Sequence, residues 1–179
     1  MHARVHYSNF YYFSSLLARQ YASRSVPSLN KYELIQDAFQ TLQREISPDT
    51  GIQLDMPCEE AEEMANLLFE YGLPTLRSTR LLSIYIAIKL ALLRHSDFSN
   101  SLHGENLTRK VLDGDYLYSF YVQLCLQWNE YDLLAHLAPV IKQIQIRRIE
   151  GASYHDVLLQ CWELFFELEK ESVRKSRAM

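Results

Sequence analysis

The chain has 179 residues, 48% of them hydrophobic, with only 5 Gly and 5 Pro and a formal net charge of −4. That length suits one domain able to bury a core without disulfides or metal, and so few Gly and Pro exclude a low-complexity tail or linker. Charges of both signs are interspersed with a negative surplus, which excludes the basic face a nucleic-acid binder needs.

Alternating Val/Ile/Thr runs between hairpin turns are absent, whereas helix punctuation is frequent. The N-terminal MHARVHYSNFYYF has neither a clean apolar core nor a small-residue cleavage site, and so does not read as a signal peptide. A first amphipathic segment over Tyr11–Ser23 predicts a peripheral helix within residues 1–27. The next helix starts at Asn30 as cap, with Glu33 as the reciprocal partner. It lines up Leu34, Ile35, Ala38, Phe39, Leu42 and Ile46 on one face before Pro48. Asp55 is the expected cap of a third helix, with Pro57 and an acidic EEAEE at its start. Its buried face is Met64, Leu67, Leu68 and Tyr71, and Gly72 ends it in a left-handed turn.

A fourth helix over Leu76–His95 is apolar nearly all round, the pattern of a helix covered on every side at the centre of a bundle. Its most apolar run, Leu81–Leu93, contains Lys89 and is shorter than the about 20 residues a bilayer span requires. A polar turn carrying His95, Asp97, His103 and Glu105 follows. Asn106 or Thr108 then opens a fifth helix reaching about Trp128. A sixth begins at Asn129 with Asp132 in support and continues to Glu150, with a kink or short break predicted at Pro139. Ser153 caps a seventh, whose inward side chains are Leu158, Leu159, Trp162, Phe165, Phe166 and Leu168. The basic end, residues 173–179, reads as frayed. The fold expected is a single all-α domain over 1–179, an antiparallel helical bundle. Cys58, Cys125 and Cys161 are odd in number and far apart, so they point to a reducing, cytoplasmic setting rather than a disulfide frame.

Two motifs bracket the polar turn. The fourth helix ends in His95-Ser96-Asp97-Phe98-Ser99-Asn100, and the fifth holds Val111-Leu112 followed by Gly114-Asp115-Tyr116-Leu117. In order and spacing they resemble the HDDxxD-type motif and GDYL-type signature of the trans-prenyltransferases, and Leu133–Gly151 resembles the helix that follows. The resemblance covers roughly Ser47–Ser172 and implies a truncated isoprenoid-synthase-like bundle. In the catalytic members, aspartates on one helix face hold Mg²⁺ against a diphosphate leaving group. Here Ser96 and Asn100 stand at two of those positions and Asp97 alone keeps its carboxylate, while SLHGENLTRK replaces the basic stretch that grips the second diphosphate. The second aspartate-rich motif of those enzymes would lie beyond the last residue. This pattern is most similar to component I, the small non-catalytic component of two-component heptaprenyl or hexaprenyl diphosphate synthases.

What the resemblance implies is an accessory subunit with no catalytic residues, metal or cofactor of its own. A catalytic partner with intact DDxxD motifs would hold the Mg²⁺ and make the isoprenoid side chain of menaquinone. The small chain would support catalysis and product-length control in a heterodimer. The resemblance also places the interface on Val111–Ile149, through Gly114, Asp115, Tyr116, Tyr118, Tyr121 and Tyr131; a homodimer of the isolated chain is left open. On the residues alone, Gly114 inside a helix argues for a close helix–helix approach, since glycine there otherwise costs about 1 kcal/mol. The tyrosines exceed what one core buries comfortably and suit an interface, whereas Leu117, Phe120, Leu124 and Trp128 read as core. His95, Asp97, His103 and Glu105 have metal-ligand chemistry but neither HExxH nor an i, i+4 histidine pair, and read as a solvated loop. The basic Arg174, Lys175 and Arg177 read as a solvated end with at most weak attraction to an anionic membrane. The alternative from another class is a free-standing helical adaptor with no prenyl chemistry.

Overall fold

A computed structural model of the chain describes residues 30–96, 105–149 and 157–177, and every regular element among them is helical. In chain order these are α1 (Lys31–Glu45), a single 3₁₀ turn (Pro48–Thr50), α2 (Cys58–Glu70), α3 (Thr75–Ser96), α4 (Glu105–Gln127), α5 (Tyr131–Ile149) and α6 (Val157–Arg177). Residues from Lys31 onward cluster as one compact unit. The helix expected within 1–27, and the cap expected at Ser153, lie outside the described residues.

α3 is the axis. Every residue from Leu81 to Ile88 is buried, because α1, α2 and α4 all pack on it, α4 most extensively. An all-round apolar helix reaches its free-energy minimum only when neighbours cover each side. Two polar residues on this axis are accommodated by local partners. Ser83 Oγ lies 2.8 Å from the carbonyl of Thr79, one turn back, and 3.1 Å from that of Ala38 on α1. Lys89, its side chain 13% exposed, meets Glu60 of α2 at 3.1 Å. α1 contributes Leu34, Ile35, Ala38 and Leu42, and α2 contributes Ala61, Met64, Ala65, Leu67 and Leu68. α6 brings Trp162, Phe165 and Phe166, with Trp162 edge-on to Tyr85 of α3 at 6.1 Å between centroids.

Gly72 ends α2 with φ +61°, as its position predicts. Other boundaries correct the expectations. Asp55 does not cap α2: its carboxylate is taken by Arg94, and Pro57 occupies the cap without a side-chain bond. Asn129 does not open α5. It closes α4 in the left-handed conformation, φ +60°, with Glu130 N–H donating back to the Cys125 carbonyl at 2.8 Å. That is a Schellman closure, and asparagine is the side chain besides glycine that tolerates it. α5 runs through Pro139 without a break; Pro139 and Ala135, whose carbonyl loses its usual intrahelical donor, are both exposed. Leu168 turns outward instead of inward. The C-terminal segment expected to fray continues as helix to Arg177, with Ser176 Oγ donating to the Ser172 carbonyl.

Arg77, in the first turns of α3, ties three elements together. Its guanidinium donates to Glu130, before α5, at 2.9 and 2.8 Å and to Glu169 of α6 at 3.1 and 2.7 Å. The bonds to Glu130, then those to Glu169, hold its pKa above the ordinary arginine value against the opposing effect of burial. We expect Arg77→Ala to destabilise the fold by about 2 kcal/mol in urea denaturation, since it strands two carboxylates at partly exposed positions. Arg77→Lys recovers only part, because an ammonium cannot fork to both.

Cys125 and Cys161 are buried, and burial pushes their thiols up to about 12 and about 11; Cys58 is exposed at the start of α2. A raised pKa removes the reactive thiolate at neutral pH. Iodoacetamide at pH 8 should therefore label Cys58 alone in the native protein and all three after denaturation, read by mass spectrometry.

Candidate functional site

The two motifs meet where the C-terminal end of α3 lies against α4. His95 Nε2 is 3.1 Å from Asp115 Oδ1. A Cβ added at Gly114 would lie 2.4 Å from His95 Nε2 and 2.5 Å from its Cδ2. Gly114 is therefore the notch that receives the imidazole, which accounts for a glycine in mid-helix where alanine would otherwise be favoured. Ser96 ends α3, while Asp97, Asn100 and His103 lie outside the described residues.

Around this junction the charges are matched in pairs. Arg109 donates to Asp113 at 2.8 Å, one turn along α4, and Arg94 pairs with Asp55. Both arginines also reach a single strap, residues 46–57, which joins α1 to α2. Arg94 donates to the carbonyl of Gln53 at 2.9 Å and Arg109 to that of Thr50. Ile52 and Met56 peg the same strap into the core, and Tyr116 Oη lies 3.5 Å from the Ser47 N–H. The strap thus runs across the ends of α3 and α4 that carry the two motifs. Read from sequence, Arg109 is only a helix-start charge; no local pattern announces that it reaches across fifty-nine positions to another segment's backbone.

The aromatic residues of α4 divide between inside and outside. Tyr121 is 1% exposed, edge-on to Tyr118 at 5.2 Å, and burial first, then Tyr118, keeps its phenol above the ordinary tyrosine value. Tyr116 stacks on Phe120 at 5.8 Å, and Trp128 lies under the guanidinium of Arg80. Leu117, Phe120 and Leu124 are core, as their spacing predicts, and Trp128 is half-buried. Of the residues expected at an interface, Gly114 and Tyr121 are thus enclosed within this chain. Asp115 and Tyr131 are exposed, and Tyr116 and Tyr118 are half-buried.

Chemically, the junction is a set of ion pairs and carbonyl contacts that hold two helix ends and a strap in register, with the buried Nε of Arg94 left without a hydrogen-bond partner among the described residues. Among the described residues no three His, Cys, Asp or Glu side chains are placed to hold a metal ion, and no helix is long and apolar enough to cross a membrane. No protein-family model matches the sequence, and no curated protein or solved structure matches it.

The notch makes a double-mutant test. Gly114→Ala alone should destabilise by about 1 kcal/mol, because the new methyl expels the His95 ring and breaks its contact with Asp115. In a His95→Ala background the same substitution should stabilise by about 1 kcal/mol, the ordinary gain of alanine over glycine in a helix. Chemical denaturation of the four proteins measures the coupling.

Proposed function

We propose that this chain is the accessory, non-catalytic subunit of a two-component long-chain trans-polyprenyl diphosphate synthase, working in the cytoplasm on the isoprenoid side chain of menaquinone. What supports the reading is the register of two motifs across one helix pair. The His95–Ser96 end of α3 abuts the Gly114–Asp115 turn of α4, with the imidazole seated in the glycine notch. In a catalytic relative that junction must open onto Mg²⁺ and diphosphate, which calls for clustered carboxylates and free cations. In this chain Arg94 and Arg109 are engaged by the strap and by Asp55 and Asp113. On this reading the carboxylates, the Mg²⁺ and the condensation belong to the partner.

The partner's seat on this reading is the outer face of α4 with the start of α5. Leu112 is 59% exposed and Leu126 49%, two heptads apart with Ser119 midway, so the three share one stripe of the helix. Tyr131, at the start of α5, is 55% exposed. Solvent-facing leucines and a tyrosine with a polar tip suit the apolar centre of an interface. The subunit holds the synthase's own helices in a productive arrangement and thereby bears on how long the product grows.

Isopentenyl incorporation into an allylic diphosphate decides the matter. Purified alone, the chain should give no turnover; mixed with a synthase carrying both aspartate-rich motifs, it should restore long-chain product. Leu126→Arg should abolish co-elution with that synthase and the restored activity, while leaving the melting temperature of the lone chain unchanged. Robust turnover by the lone chain would refute the reading, and failure to associate with any such synthase would favour a free-standing adaptor.

A further inference from the structure

On the side of the molecule formed by the end of α2, the start of α3 and helices α5 and α6, a cleft of about 670 Å³ opens to solvent. That volume falls in the range of about 300–1,000 Å³ typical of small-molecule sites. Four rings in unbroken contact line it. Tyr71 and Phe166 are 5.1 Å apart between centroids, Phe166 and Phe165 5.7 Å, and Phe165 and His136 5.6 Å. The His136 Nε2–H donates to the Cys161 carbonyl at 3.0 Å, which orients the ring. The walls, Leu73, Leu168 and Val173, are aliphatic. Leu168 and Val173 are half-exposed apolar side chains.

The rim carries both signs: Arg77, Lys170 and Arg174 line it with Asp132 and Glu169, and burial first, then Glu167, Glu163 and Glu70, raises the Tyr71 phenol above its ordinary value. Arg77 is taken up by Glu130 and Glu169 together. Asp132 sits in the first turn of α5, where the helix dipole offsets a negative charge. The cations left to meet a ligand are Arg174 and Lys170, the latter with its ammonium 4.6 Å from the centroid of the Tyr71 ring, at the edge of the aromatic floor.

We propose that this cleft binds a small, flat, apolar anion: an aromatic or alicyclic ring system lying on Tyr71, Phe166 and Phe165, with a carboxylate or similar group held by Lys170 and Arg174. Stacking on the ring floor supplies the contact area, and the two cations select the charged end. The inference uses this chain alone and stands apart from the subunit reading, so either can fail without the other.

The test is fluorescence titration of the full chain with 1-anilinonaphthalene-8-sulfonate, beside N-phenyl-1-naphthylamine, which has the same rings and no sulfonate. The expected result is saturable binding of the sulfonate, tighter than that of the neutral amine and weakened by salt. Lys170→Glu combined with Arg174→Glu should weaken the sulfonate about tenfold and leave the amine unchanged. Ser172→Trp, which places an indole in the opening from an exposed position, should weaken both. Thermal melting checks that each variant keeps the native fold. Sulfonate affinity indifferent to the charge reversal, or binding of both dyes that survives Ser172→Trp, would overturn the proposal.

Discussion

A helix that is apolar on every side has no stable place at a surface, and the architecture of this protein follows from that constraint on α3. Burying its run from Leu81 to Ile88 requires neighbours around the full circumference. Helices α1, α2 and α4 supply them, each with a single apolar face. Even the exceptions on α3 are answered locally: Lys89 by a glutamate on α2, and Ser83 by carbonyls one turn back and on α1. The ends of α3 are polar, and there the chain is fastened by charge instead of by burial. Arg77 joins its start to the α4–α5 turn and to α6, and Arg94 joins its end to the strap.

This division of labour shapes the junction of the two motifs. A phosphate-handling site needs cations with unused donors and carboxylates close enough to share a metal. Here the guanidiniums nearest the motifs reach backbone carbonyls and single aspartates, which makes a rigid corner. The imidazole of His95 in the Gly114 notch has the same effect, since it brings two helices closer than any side chain at position 114 would allow. A corner fixed in this way can present neighbouring surfaces with little loss of conformational freedom on binding.

Among the described residues, two exposed surfaces differ in kind. The outer side of α4 exposes Leu112 and Leu126, and Tyr131 is exposed at the start of α5. The cleft between α2, α3, α5 and α6 is concave, ring-floored and bordered by cations. Exposed leucines on a helix face suit a protein surface, while a concave, ring-floored cleft suits a small molecule.

Among the described residues, the sequence by itself determined which segments are helices and most of the faces they bury. A 3.6-residue apolar period and the all-round apolar stretch at Leu81–Leu93 are local properties of the chain, and so is the left-handed stop at Gly72. The glycine at 114 likewise announced a close approach before its partner was known. Only the tertiary structure decided what the polar groups do. Asp55 has a helix cap's chemistry but sits within reach of Arg94, and Asn129 has a helix opener's chemistry but lies where α4 must turn. Tyr121 is enclosed whereas Tyr131 is exposed. The reason is physical: an apolar face obeys a periodicity written along the chain, whereas a hydrogen bond or ion pair goes to whichever partner folding brings within 3 Å, and that partner can lie anywhere in the sequence.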